Sequence, residues 1–244
     1  PTIVADNFKG IDDAIQHLID HGHRQIAFLA GSPEDLTGDT GERLNAYYSC
    51  LERNGLECDP RRVAFGRHVF DGGYDATHQI INSQVEFTAI LSSNDEMALG
   101  AMKALQERGY RIPQDVAIIG FDNRLEGTVA NPPLSSVHVP LFTIGQQSLE
   151  LLVNHIRGIK NLPMLTKIPT HLIIRETCGC NPKRNLIAKE ELSLTSLTAN
   201  QTEDWLSLCQ PISRTILNQT QSLGEIECNS LCQSLIHAFQ TSVN

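Results

Sequence analysis

A doubly wound parallel α/β sheet is the fold class this sequence predicts, and three observations predict it. Residues 25–30 (QIAFLA), 87–91 (FTAIL) and 116–121 (VAIIGF) are apolar runs of strand length with almost no alternating polar face. Strands read this way when helices cover both of their faces. Segments with helical periodicity stand between those runs, so strand and helix alternate along the chain, as βαβ units require. Glycines at 22, 55 and 109 follow the last apolar residue of three such segments, the position where helices commonly end.

Taken in order, residues 2–5 (TIVA) form a short strand that ends in Asp6 and Asn7. Ile11, Ala14, Ile15, Leu18 and Ile19 recur with helical period up to Gly22. After the strand at 25–30 comes the loop Gly31, Ser32, Pro33, then a helix from about Gly41 to Asn54. Val63 to Phe65 is a short strand, and Gly72 and Gly73 precede a helix holding Ala76, Ile80 and Ile81. Ser93, Asn94 and Asp95 cap the helix of Ala98, Ala101, Met102 and Leu105. Beyond the strand at 116–121, the Asn131, Pro132, Pro133 run breaks the chain. Gly145, Leu149, Leu152 and Ile156 mark one more helix, and Leu172 to Ile174 a last strand. From residue 181 the strand-like runs vanish and helical spacing remains. Two amphipathic helices are expected there, one carrying Trp205, Leu208 and Ile212, the other Leu223, Leu231 and Leu235.

A net charge of −9 argues against a general DNA-binding surface, which needs clustered Lys and Arg. No apolar run is long enough to span a membrane, and no membrane partner is expected. Glycine-rich phosphate motifs, a nucleophile elbow, an HExxH helix and an EF-hand loop are all absent. Neither an enzyme nor a cofactor is therefore indicated. Seven cysteines, an odd number with no CxxC pair, read as reduced thiols of a cytoplasmic protein. A metal or redox role for Cys178 and Cys180 needs further ligands, which the sequence does not point to. His21 and His23, flanking Gly22, read as partners of a helix C-terminus, and no metal site is expected.

Doubly wound sheets bind ligands beyond the carboxyl ends of their strands. The polar residues that follow strands are Asp6 and Asn7, the loop up to Arg43, His68, Asn94 and Asp95, and Asp122 and Asn123. Each has a plain structural reading beside the functional one. Asn94 can be a helix N-cap, Asp122 a turn residue, Arg43 a surface helix residue and His68 a loop residue.

Several of these stretches resemble the lactose-repressor/galactose-repressor family. They are Asp6-Asn7 with Gly10, His17-Leu18-Ile19, Gly22-His23-Arg24-Gln25-Ile26-Ala27, Gly41 to Tyr47 with Arg43, and Ser93-Asn94-Asp95-Glu96-Met97-Ala98-Leu99-Gly100-Ala101. Ile112-Pro113, Asp115-Val116, Ile119 to Asn123, Pro132 to Val137 and Gly145 follow in the same order, so the likeness covers about residues 1–180. It implies a periplasmic-binding-protein-like fold of two α/β lobes with the effector between them. Residues 24–133 and 166–180 would make a complete C-terminal lobe. Residues 1–20 and 136–160 would make part of the N-terminal lobe, as though the chain were truncated at its N-terminus, and 181–244 a helical extension or linker.

The resemblance also implies an effector site of Arg43, His68, Asn94 and Asp122, holding a sugar-like small molecule. A guanidinium fork, a carboxylate and an amide together suit a polyol. It further implies a homodimer and DNA contact only through a domain outside this chain. Two other readings stay open: a solute-binding protein for a transporter, and a sensor coupled to a diguanylate cyclase or kinase.

Overall fold

The computed structural model describes residues 1–180, so the helices expected in 181–244 lie outside the described residues. Of the described residues, 1–148 and 163–180 form one compact unit, and residues 149–162 fall in another. The elements in chain order begin with β1 (Thr2–Ala5), α1 (Asn7–Asp20), β2 (Ile26–Ala30), α2 (Asp39–Arg53), β3 (Val63–Phe65) and α3 (Phe70–Asn82). They continue with β4 (Ala89–Ser92), α4 (Asp95–Glu107), β5 (Ala117–Asp122) and α5 (Leu125–Thr128). The last are β6 (Ser135–His138), α6 (Leu141–Ile156), β7 (Leu165–Ile168) and β8 (His171–Ile173).

A six-stranded sheet in the order β3-β2-β4-β5-β6-β8 organises the large unit. Its pairs are parallel except β6 with β8. Strand alternation divides the central apolar runs between two cores. Ile26, Phe28 and Ala30 of β2, with Leu91, Ile119 and Phe121, face α1 and α2 and meet Ile11, Ile15, Leu18, Tyr47 and Leu51. Ala27 and Leu29, with Ile90 and Ile118, face α3 and α4 and meet Ala76, Ile80, Met97, Ala101 and Leu105. Every residue of β2 is buried, which is why its sequence shows no polar face. Each fully buried Leu, Ile or Phe side chain contributes about 1.5–3 kcal/mol.

Gly72 and Gly73 stand inside α3, not before it. A Cβ on Gly73 would come 2.3 Å from the backbone oxygen of Met97, so the glycine permits α3 and α4 to touch backbone to backbone. That packing outweighs the modest helix penalty of glycine.

The segment boundaries drawn from the resemblance need correction. Helix α1 shares the core of the six-stranded sheet, although residues 1–20 were expected in the N-terminal lobe. β6, expected with the N-terminal lobe from residue 136, pairs with β5. β7, expected in the C-terminal lobe from residue 166, instead pairs with β1 in a separate two-stranded parallel sheet. The apolar stripe of α1, buried on the large sheet, is what holds residues 7–20 there.

Candidate functional site

From β2 the chain turns to one side to form β3, and it returns on the other side of β2 to form β4. The two connections leave in opposite directions, which opens a crevice beyond the carboxyl ends of β2 and β4. The first turn of α2 and the start of α4 border that crevice.

Arg43 of α2 bridges it. The side chain is only 6% exposed. Its Nε donates to Asn7 Oδ1 at 2.8 Å, and Nη1 donates to the carbonyl of Ser93 after β4. The guanidinium carbon stands 4.0 Å from the centre of the Phe121 ring, a cation–π contact. Nη1 also lies 3.8 Å from Asp122 Oδ1, beyond direct hydrogen-bond distance. Burial pulls Arg43 below the usual arginine value, while Asp122, Asp39 and Glu42 oppose that shift.

Asp122 ends β5 with φ 103°, and Asn123 follows at φ 56°. Non-glycine residues rarely adopt such backbone, and where they do the strain is often tied to a site. Burial pushes the Asp122 carboxyl up to about 6, against the lowering effect of Arg43 and Arg124. Its side chain is still 33% exposed, so solvent or a ligand can reach it.

Asn94 serves two structural roles at once. Its Oδ1 accepts from Met97 N at 2.9 Å as the N-cap of α4, and its Nδ2 donates to the His68 carbonyl at 3.0 Å. His68 sits at φ 62° in the loop after β3, and its Nε2 is 3.0 Å from Thr40 Oγ1. A Cβ on Gly31 would meet the His68 ring at 2.1 Å, so the glycine at the end of β2 admits the imidazole. Burial, then Arg43, lowers the His68 pKa and favours the neutral ring.

Arg43, Asp122, Asn94 and His68 are therefore drawn to one end of the sheet, joined through Ser93 and the loop after β3. Three more residues join them, of which Asn7 and Asp95 stood among the strand-end candidates without being assigned to the effector site. Asn7, fully buried, donates Nδ2 to Asp39 Oδ1 and Glu42 Oε2, both at 2.9 Å, and anchors α1 to α2. Asp95, also buried, accepts from Ser136 Oγ and from Arg124 N, each at 2.6 Å, and burial pushes it up to about 6. Ser93 Oγ is buried and has no hydrogen-bond partner among the described residues. Asn7 stood beside Asp6 at a strand end, a usable signal. Asp95 stood at a strand end too, but its partners, 29 and 41 residues away, leave no local signal.

Residues 15–178 match the periplasmic binding protein-like domain. The chain is 36% identical over 172 residues to the HTH-type transcriptional regulator CelR of Thermobifida fusca, covering 70% of this chain and 50% of CelR. It is 34% identical over 158 residues to the HTH-type transcriptional repressor CytR of Escherichia coli, covering 65% of this chain and 46% of CytR. Among solved structures, a CelR–cellobiose complex superposes with a TM-score of 0.68 at 34% identity, covering 72% of this chain and 53% of that one. The lac repressor dimer bound to operator and an anti-inducer superposes at 0.67 with 30% identity, covering 72% and 52%. The chain thus spans about half the length of the curated relatives it matches. By sequence and by structure, it belongs to the lactose-repressor/galactose-repressor family and carries that family's periplasmic-binding-protein-like domain.

Proposed function

We propose that this chain senses a small polyhydroxylated effector, a sugar in the first instance, and binds it without chemical turnover. One observation carries the reading: Arg43 and Asp122 face each other at 3.8 Å across the crevice, close enough to attract and too far apart to satisfy one another. A hydroxyl placed between them donates to the carboxylate and accepts from the guanidinium. The buried Ser93 hydroxyl beside them, without a partner among the described residues, offers a further polar group of the kind that a ligand satisfies. Asn94 and His68 complete the wall in this reading. The CelR relative was solved with cellobiose, which makes a glucoside the natural first ligand to try.

In the same reading, effector binding shifts an equilibrium between lobe arrangements of a homodimeric cytoplasmic regulator. With a net charge of −9 on this chain, DNA contact belongs to residues outside this sequence. Among the described residues no helix is long and apolar enough to cross a membrane.

Calorimetry and thermal shift across mono- and disaccharides test this. A sugar that raises the melting temperature of the unaltered chain should lose about 10–100-fold in affinity with Asp122→Ala, the range for a hydrogen bond to a charged group. Unchanged affinity would remove Asp122 from the site. Turnover of the bound sugar would overturn the non-enzymatic reading.

A further inference from the structure

At the far end of α1, well outside the crevice residues, three metal-ligating side chains meet, with His21 beside them. His17 and His21 stand one helical turn apart, with ring centroids 4.2 Å from each other. Cys178 and Cys180 come from the segment after β8. The ligand atoms of His17, Cys178 and Cys180 all lie within 4.8 Å of one another. Cys180 Sγ is 3.6 Å from His17 Nε2 and 3.1 Å from His21 Nε2.

We propose that these residues bind a zinc-type cation, with Cys178, Cys180 and His17 as ligands and His21 as the fourth. Two thiolates with two imidazoles are a common donor set for structural zinc. With Zn–S near 2.3 Å and Zn–N near 2.05 Å, a tetrahedral ion separates sulfur from nitrogen by about 3.6 Å. The His17–Cys180 separation already has this value, and His21, with its Nε2 3.1 Å from Cys180 Sγ, would have to turn toward the other ligands to join them.

His21 is also held in the tautomer that binding needs. His21 Nδ1 lies 2.8 Å from the His17 carbonyl. Donating there, it fixes the tautomer that leaves the Nε2 lone pair facing Cys180, the arrangement usual for a metal-bound histidine. Binding releases both thiol protons to solvent, and the imidazoles coordinate neutral. The ion would fasten the C-terminus of α1 to the segment that leads directly into residues 181–244.

The test uses the full 244-residue chain, stripped by chelator and titrated with Zn2+ or Co2+ under reducing conditions. The expected result is about one tightly held ion per chain, with thiolate charge-transfer absorption in the cobalt form. Cys180→Ser and His21→Ala should each weaken binding at least ~10-fold. Neither residue is buried, so both variants should fold, and circular dichroism checks this. Cys58→Ser, an exposed thiol, should leave affinity unchanged. The equivalent should also persist when Cys209, Cys228 and Cys232 are replaced together by serine. The proposal is overturned by absence of a tight ion, by equal affinity in folded Cys180→Ser and His21→Ala, or by loss of the ion in the triple replacement. A disulfide between Cys178 and Cys180 in the reduced preparation also overturns it.

Discussion

The six-stranded sheet and the two-stranded sheet are built from strands of similar length, yet they differ in how much of their apolar surface they hide. β2 and the first five residues of β5 are buried without exception. β7, by contrast, leaves Leu165 55% exposed and the preceding Met164 77% exposed. At the start of α6, Leu141 is 70% exposed and Phe142 41%. The large sheet is sealed by helices on both faces and should hold its own stability. The small sheet presents apolar groups to solvent.

The largest expected contrast tests this difference directly. Phe28→Ala, in the sealed sheet and stacked 4.8 Å from Tyr47, should destabilise the chain by about 3–5 kcal/mol in urea unfolding. A cost below about 1 kcal/mol would show that the large sheet is not the folding core.

Next is Arg43→Ala, expected to cost about 1.5–3 kcal/mol because Asn7 Oδ1 and the Ser93 carbonyl lose a charged donor. Arg43→Lys should recover little of that, since one ammonium cannot reproduce the fork. Full recovery by lysine would reduce Arg43 to a point charge.

A smaller effect separates the crevice from the core by pH. The Asp122 carboxyl is raised to about 6 in the fold, above its ordinary value, so the native state binds the proton more tightly than the unfolded chain. Its ionisation therefore penalises stability increasingly as pH rises from about 4 to 6, and fully above that. Asp122→Asn removes the penalty, so the variant should gain in melting temperature relative to the parent between pH 5 and pH 7.5. A difference independent of pH would mean that the carboxyl titrates normally.

Smallest of all, Leu165→Ala in the exposed small sheet should change stability by no more than about 0.5 kcal/mol. A loss matching that of Phe28→Ala would erase the distinction between the two sheets.

The same contrast explains what the sequence disclosed. β2, β4 and β5 were legible because burial on both faces leaves an unbroken apolar run. β6 was not, since its Ser135 and Ser136 are buried through hydrogen bonds with Thr177, Arg175 and Asp95, which no local pattern announces. β7 (LTKI) is too short and too exposed to show a pattern of its own. At the crevice, strand-end position gave only a list of candidates, and the family resemblance singled out Arg43, His68, Asn94 and Asp122 among them. The plain reading of Arg43 as a surface helix residue did not survive its burial against Asn7 and Ser93. The His17 and Cys180 contact spans 163 residues, which is why Cys178 and Cys180 looked ligandless in sequence.

Tyr47 lies fully buried, stacked on Phe28, with its hydroxyl donating to the Ile26 carbonyl at 2.8 Å. A ring held so firmly in an asymmetric surrounding should give a sharp near-ultraviolet dichroic band, and burial drives its ionisation far into alkali. The chain's one tryptophan is Trp205, beyond the described residues. Two optical channels are thus separated by the sequence itself: tyrosine dichroism reports on the sheet interior, and indole fluorescence on the segment after residue 180. Melting followed in both channels at once would reveal whether the two parts of the chain come apart together or one at a time.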